Sequence, residues 1–170
     1  MKKAILNWIP FLLLSIIVFS TTNYIPIFWE PLYAKYGNEL LVRIVQLIIS
    51  FILAAAAVSV IINSSPAKRM KTSILGFLLL FFYVLPLYYM KNAAERFHFV
   101  EYGLWFLFAV KGFQGKTVHA FILTSIMGIL DELYQWYLPS RFGEIADVVL
   151  NIYSISLSWL GLKLYRYGRS

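Results

Sequence analysis

The sequence predicts an all-α fold: a polytopic transmembrane helix bundle of about six spans, with the N- and C-termini both cytoplasmic. Three observations predict it. Hydrophobic residues make up 61% of the 170-residue chain and charged residues only 14%, against roughly 45–50% and about 25% in a soluble domain. Mean hydropathy is +0.73, and a soluble chain this short lacks the interior volume to hide so much apolar surface. The apolar residues also fall into runs near the roughly 20 residues that a helix needs to cross a bilayer. Lipid is therefore the solvent for most of the chain.

The first run, Ala4 to Ser20, follows Lys2 and Lys3. It has the outline of a secretory leader, but Phe19-Ser20-Thr21-Thr22-Asn23 offers no small-x-small cleavage site, so it is read as a span. Thr21 to Glu39 is the one long connection, and its Trp29, Pro31, Tyr33 and Tyr36 mark it as an interfacial loop. Leu40 to Ile62, with Arg43 and Gln46 near its start, and Ser73 to Met90 are apolar spans. A fourth span, Ala93 to Val110, begins with charged residues, and a fifth, Thr117 to Trp136, carries Asp131 and Glu132 near its end. Ala146 to Tyr165 is the sixth. No repeat or low-complexity segment divides them, so residues 1–170 read as a single membrane domain. Aromatic pairs at span ends, Tyr88-Tyr89 and Trp136-Tyr137, suit an interfacial belt.

Charge sets the orientation. The net charge is +7, but the basic residues are scattered between apolar runs rather than gathered into a stripe, which excludes nucleic acid as a partner. With the N-terminus inside, the inner segments carry Lys2, Lys3, Lys68, Arg69, Lys71, Lys111, Lys116, Lys163, Arg166 and Arg169. Only Lys35, Arg43, Lys91, Arg96 and Arg141 fall outside, the bias expected of a cytoplasmic face. All eight acidic residues fall on the outer side. They say where polar chemistry is concentrated: any site lies on the outer face. The chain has no cysteine, which excludes disulfides, thiolate metal sites and cysteine nucleophiles.

Four pieces of sequence converge on that face. In Glu95-Arg96-Phe97-His98-Phe99-Val100-Glu101-Tyr102, the helical spacing puts His98, Glu101, Tyr102 and Trp105 on one side. In Asp131-Glu132-Leu133-Tyr134-Gln135, Asp131 and Gln135 stack at i, i+4, while adjacent Asp131 and Glu132 leave the helix about 100° apart and should face different partners. Pro139-Ser140-Arg141-Phe142-Gly143 reads as a turn. Asp147, Asn151, Ser154 and Ser158 form a polar stripe that Gly161 continues.

Placing Asp, Arg or Lys at the centre of a spanning helix costs about 2.5–3.5 kcal/mol, less toward the interface. Groups gathered against that cost are functional candidates. Asp131 and Glu132 are candidates for acid/base work, with His98 as a general base and Glu101 as its orienting carboxylate. Gln135, Arg141, Asp147 and Asn151 are candidates for contacting substrate. Each also has a structural reading. Arg141 would pair with Asp147 or Glu144 to fix the turn, and Asn151 and Ser154 would be interhelical hydrogen-bonding residues. Five of these side chains could supply metal ligands, but no His-x-x-x-His or Glu-x-x-His pair supports a metal site, and His119 belongs to the opposite, inner end. No cofactor is read from the residues. No Gly-x-Ser-x-Gly elbow supports a serine triad.

Taken in order, Glu95-Arg96-Phe97-His98-Phe99-Val100-Glu101-Tyr102-Gly103-Leu104, Asp131-Glu132-x-x-Gln135, Pro139-x-Arg141 and Asp147-x-x-x-Asn151 resemble the VanZ family of small membrane proteins. The resemblance covers about residues 91–161 and departs at Ser154, where the family shows glycine. It implies a protein of the bacterial cytoplasmic membrane with His98, Glu101, Asp131, Glu132, Gln135, Arg141, Asp147 and Asn151 as characteristic positions. The family name comes from a protein associated with teicoplanin resistance in Gram-positive bacteria, so a contribution to resistance against lipoglycopeptides is the function implied. The resemblance supplies no reaction.

Two functional classes suit the residues. An intramembrane enzyme would act by acid/base chemistry on a lipid-linked envelope substrate in the outer leaflet, with Arg141 holding an anionic group. A non-catalytic binder would use the same groups as hydrogen-bonding partners for an envelope component or lipid-tailed antibiotic, with the aromatic rim adding contact area. A transporter is disfavoured, because the inner halves of spans three to six are nearly free of charge and no paired broken helices are apparent. Beyond the lipid bilayer, partner and oligomeric state are not fixed by the sequence.

Overall fold

The computed structural model describes residues 5–91, 93–139, 141 and 143–170. Lys2, Lys3, the expected start of the first span at Ala4, and Ser140 and Phe142 of the expected turn lie outside the described residues. Among those described there are seven α-helices and no strand: α1 Ile9–Thr21, α2 Ile25–Tyr36, α3 Asn38–Ile62, α4 Pro66–Tyr89, α5 Ala93–Gly112, α6 Thr117–Tyr137 and α7 Ile145–Arg169.

Three of them, α3, α4 and α7, are long and apolar enough to cross a membrane. Their 24 or 25 residues span about 36–38 Å at 1.5 Å per residue, more than the roughly 30 Å hydrocarbon core. α1 has only 13 residues and reaches about 20 Å, so it does not cross alone. The loop expected from Thr21 to Glu39 is corrected. Thr22–Tyr24 forms a 3₁₀ turn and the supposed loop is helix α2, bent 62° from the segment before it. Pro26, near the start of α2, lacks an N–H and crowds the preceding turn, so α1 cannot run straight through. The Thr21 and Thr22 hydroxyls donate to the carbonyls of Ile17 and Val18, each at 2.7 Å, where α1 ends. Length and composition thus support three crossing helices, or four if the bent pair is one span. α5 and α6 have spanning length, at 20 and 21 residues, but carry the charged groups.

α4 starts earlier than Ser73 because Pro66 sits in its first turn, a position where the missing N–H costs nothing. α7 continues one turn past Tyr165. α7 packs on α4, α5 and α6, while α3 packs on α4 and α5, and α1 lies against α5. One apolar cluster joins α1, α5, α6 and α7 through Phe11, Trp105, Phe106, Ala120 and Ile155. A second joins α3, α4, α5 and α7 through Val45, Ile49, Leu87, Phe99 and Leu157. α5 and α7 therefore belong to both. The outer surface is apolar as well, with Leu47, Phe51 and Phe77 largely exposed, as a lipid-facing surface requires. Tyr88, Tyr89, Trp136 and Tyr137 project outward at helix ends, the placement expected of a belt.

The two ends of the bundle differ. At one, Ser65 N–H donates to the Gly168 carbonyl at 2.9 Å, Lys68 Nζ donates to Ser170 Oγ at 3.0 Å, and Arg166 reaches the Gly115 carbonyl. This end gathers the basic turns. At the other, Asn38 donates to the Lys91 carbonyl at 3.1 Å, and here lie the acidic residues of α5 and α6.

Candidate functional site

The polar groups of that second end meet where α5, α6 and α7 pack together. His98 Nε2 lies 3.5 Å from Asp131 Oδ2 and 3.5 Å from Glu132 Oε1. Its Nδ1 lies 3.7 Å from Glu101 Oε2, one turn along α5. Asp131 is 0% exposed and Glu132 4%, whereas the side chains of His98 and Glu101 retain 19% and 27% exposure. The cluster is thus closed at its carboxylate floor and reached from the His98–Glu101 side.

The adjacent carboxylates were expected to face different partners, and the structure corrects this. Both point at the same imidazole nitrogen, because the extra methylene of Glu132 swings its carboxylate back across the 100° between successive helical directions. α7 receives Glu132: Asn151 Nδ2 donates to Oε1 at 3.3 Å, and the Glu144 backbone N–H donates to Oε2 at 3.4 Å. That last contact needs the α6–α7 turn to lie directly on α6. Gly143 allows it, since a Cβ there would collide with the backbone oxygen of Glu132 and stand 3.0 Å from Trp136 N.

Gln135 ties the floor together, donating from Nε2 to Asp131 Oδ2 at 3.0 Å and to Glu132 Oε1 at 3.2 Å. Its own carbonyl accepts from Arg141 Nη2 at 2.8 Å. Arg141 was expected to pair with Glu144 or Asp147, and among the described residues it pairs with neither. The turn leads its guanidinium inward to the amide instead. Asp147, half-buried one turn before Asn151, feels the charges of Glu132 and His98 without a hydrogen bond to either. Seven of the eight expected site residues therefore form one connected network, and the eighth stands beside it.

Sequence reasoning placed Tyr102 on the right helix face but missed its role. Tyr102 Oη donates to Asp131 Oδ2 at 2.9 Å, and the ring stands edge-on to His98. The available signal was its i+4 spacing from His98. Gly128 was also missed: a Cβ there would come within 3.1 Å of Tyr102 Cε1 and 3.5 Å of Asn151 Cβ. A larger residue would push Tyr102 and α7 off the floor.

The rest of the α7 stripe is packing. Ser154 Oγ donates to the Phe99 carbonyl at 2.5 Å, and Ser158 Oγ bonds Tyr83 Oη at 2.6 Å. The close approach of α5 and α7 falls on Gly103, where a Cβ would lie 2.5 Å from both Ser158 Oγ and Tyr83 Oη. Gly161 has nothing within 4 Å of a Cβ. His119 packs against Phe113 at the opposite end.

No family model, curated protein or solved structure matches this chain. Function has to be argued from the site. Its chemical content is one imidazole held between an exposed-side carboxylate and two buried ones, with a guanidinium linked to the buried pair through Gln135. Such a set can move a proton between His98 and a carboxylate, hold an anionic group near Arg141, or bind a cation.

Proposed function

We propose that this chain is a VanZ-like integral protein of the bacterial cytoplasmic membrane whose polar cluster acts by acid/base chemistry on a lipid-linked envelope substrate. The observation that carries this reading is His98 Nε2 standing equidistant, at 3.5 Å, from Asp131 Oδ2 and Glu132 Oε1. Ionisable groups at membrane depth are costly and are kept where they work. Here two buried carboxylates meet a partly exposed imidazole, on helices whose other faces are apolar. Glu101 orients the imidazole, one of the two carboxylates exchanges the proton, and Arg141 attracts the anionic part of the substrate. An envelope substrate with a lipid anchor would present such a group at this depth, which would also connect the site to teicoplanin susceptibility.

In this reading the bent α1–α2 pair and helices α3 to α7 make six crossings, with both termini cytoplasmic and the cluster extracytoplasmic. The basic turns gathered at one end of the bundle support that orientation.

The test is teicoplanin and vancomycin susceptibility in a Gram-positive host, with lipid-linked intermediates analysed in parallel. The wild type should protect or change the lipid profile. His98→Gln, Asp131→Asn and Glu132→Gln should each abolish the effect at equal membrane levels. Full effect in all three variants would overturn the acid/base reading.

A further inference from the structure

We propose that His98, Asp131 and Glu132 bind one divalent transition-type cation, with Zn²⁺ the best match; this rests on the reading of the cluster as the working site, and with the ion bound these three side chains hold it rather than exchange a proton among themselves. One nitrogen and two carboxylate oxygens, one from each residue, lie within 4.8 Å of one another. The spacing is the first argument. His98 Nε2 is 3.5 Å from each carboxylate oxygen, well beyond the roughly 2.9–3.0 Å of a good N–H···O bond. Ligands around a tetrahedral ion with bonds of about 2.0–2.1 Å stand roughly 3.3–3.4 Å apart. The two separations from His98 are therefore closer to ligand–ligand spacing around an ion than to a good hydrogen bond.

A second, independent observation points the same way. Asp131 Oδ1 is buried and accepts no hydrogen bond among the described residues, on a residue with 0% exposure. A bare carboxylate oxygen at that depth is expensive unless a proton or a cation takes it. Charge balance agrees. Two buried carboxylates outweigh a single imidazolium, and Arg141 donates to the Gln135 amide oxygen rather than to either carboxylate. A divalent ion would neutralise both.

The supporting residues are those that metal sites use. Ligating histidines typically donate their other ring N–H to a carboxylate, which fixes the tautomer, and Glu101 sits on the Nδ1 side of His98. The carboxylates are oriented in turn by Tyr102, Gln135 and Asn151. An imidazole ligand in a confined site favours Zn²⁺ over Mg²⁺, which prefers oxygen donors and retains several waters. Three protein ligands leave a coordination position for a water or substrate oxygen, as catalytic zinc sites do. A phosphate oxygen of a lipid-linked substrate is the class of group that would take it. The sequence could not announce this site, because one ligand comes from α5 and two from α6, so no local spacing repeats.

The test uses the full chain purified in detergent, stripped with chelator and re-equilibrated with Zn²⁺ or Mg²⁺. The wild type should retain about one Zn²⁺ per chain by elemental analysis, and its melting temperature should rise with Zn²⁺ concentration but not with Mg²⁺. His98→Gln and Asp131→Asn should lose the bound zinc, whereas Glu30→Gln on exposed α2 should keep it. Visible absorption of Co²⁺-loaded wild type should show the intense bands of a tetrahedral N/O site, a readout that needs no variant to fold. Substoichiometric zinc in the wild type, or equal zinc in all variants, overturns the proposal. Wild type without zinc whose variants still lose protection in cells would sink the metal and leave the acid/base reading standing. Stoichiometric zinc with full protection by every variant would do the reverse.

Discussion

Replacing Tyr102 by Phe removes one oxygen and leaves the packing intact, which makes it a sharp probe of the cluster. Tyr102 is 0% exposed, and its ring contacts with His98 and Trp105 survive the change. What is lost is the 2.9 Å hydrogen bond to Asp131 Oδ2. Among the described residues Oδ1 has no donor, so Gln135, at 3.0 Å, becomes the closest donor left to this carboxylate, with His98 Nε2 at 3.5 Å. Two magnitudes compete. Hydrogen bonds to charged groups contribute about 1.5–3 kcal/mol in water-soluble proteins. Interhelical bonds in membranes average about 0.6 and reach about 1.7 kcal/mol, because the unfolded chain in lipid also finds partners. The acceptor here is a wholly buried carboxylate short of donors, so the upper part of the membrane range applies: about 1–1.7 kcal/mol. SDS titration of the refoldable protein in mixed micelles measures it. A cycle with Asp131→Asn should show about 1 kcal/mol of coupling. A loss below about 0.3 kcal/mol, or an additive cycle, would refute the hydrogen bond as the reason Tyr102 lies where it does.

Two glycines on facing helices should respond with opposite signs. Gly103→Ala forces a Cβ to within 2.5 Å of Ser158 Oγ and Tyr83 Oη and should cost about 1–3 kcal/mol. Gly161→Ala meets nothing within 4 Å and should gain up to about 1 kcal/mol from helix propensity; unfolding midpoints shifting in the same direction would mean the α5–α7 approach is misplaced. Gly128→Leu, by displacing Tyr102 and Asn151, should abolish whatever His98→Gln abolishes while the chain still inserts, read from the susceptibility assay and a membrane blot. Because the chain has no cysteine, single Pro139→Cys and Ser170→Cys variants give clean topology readouts. An impermeant maleimide on intact cells should label the first and not the second, and the reverse pattern would invert the proposed orientation.

Much of the helix pattern was legible because it is a local property. The apolar runs of α3 and α7 state their own boundaries to within a turn, and both helices are long and apolar enough to cross a membrane. The i, i+3, i+4, i+7 spacing from His98 to Trp105 put four side chains on one face of α5, and they are on one face. What failed is instructive. The bend after α1 depends on Pro26 meeting the end of a short helix, and a hydropathy run does not register it. Arg141 has two carboxylates close by in sequence, yet the turn carries it inward to Gln135.

The sequence by itself determined most of the helices, their apolar surfaces and the end of the molecule where polar groups collect, since each follows from composition, periodicity and charge along one segment. Only the tertiary structure decided that Asp131 and Glu132 share the imidazole of His98, that Tyr102 anchors the floor, and that Gly103, Gly128 and Gly143 give the room. Those facts belong to pairs of residues on different helices. Their distances are set by how α5, α6 and α7 pack, and no single segment carries that information.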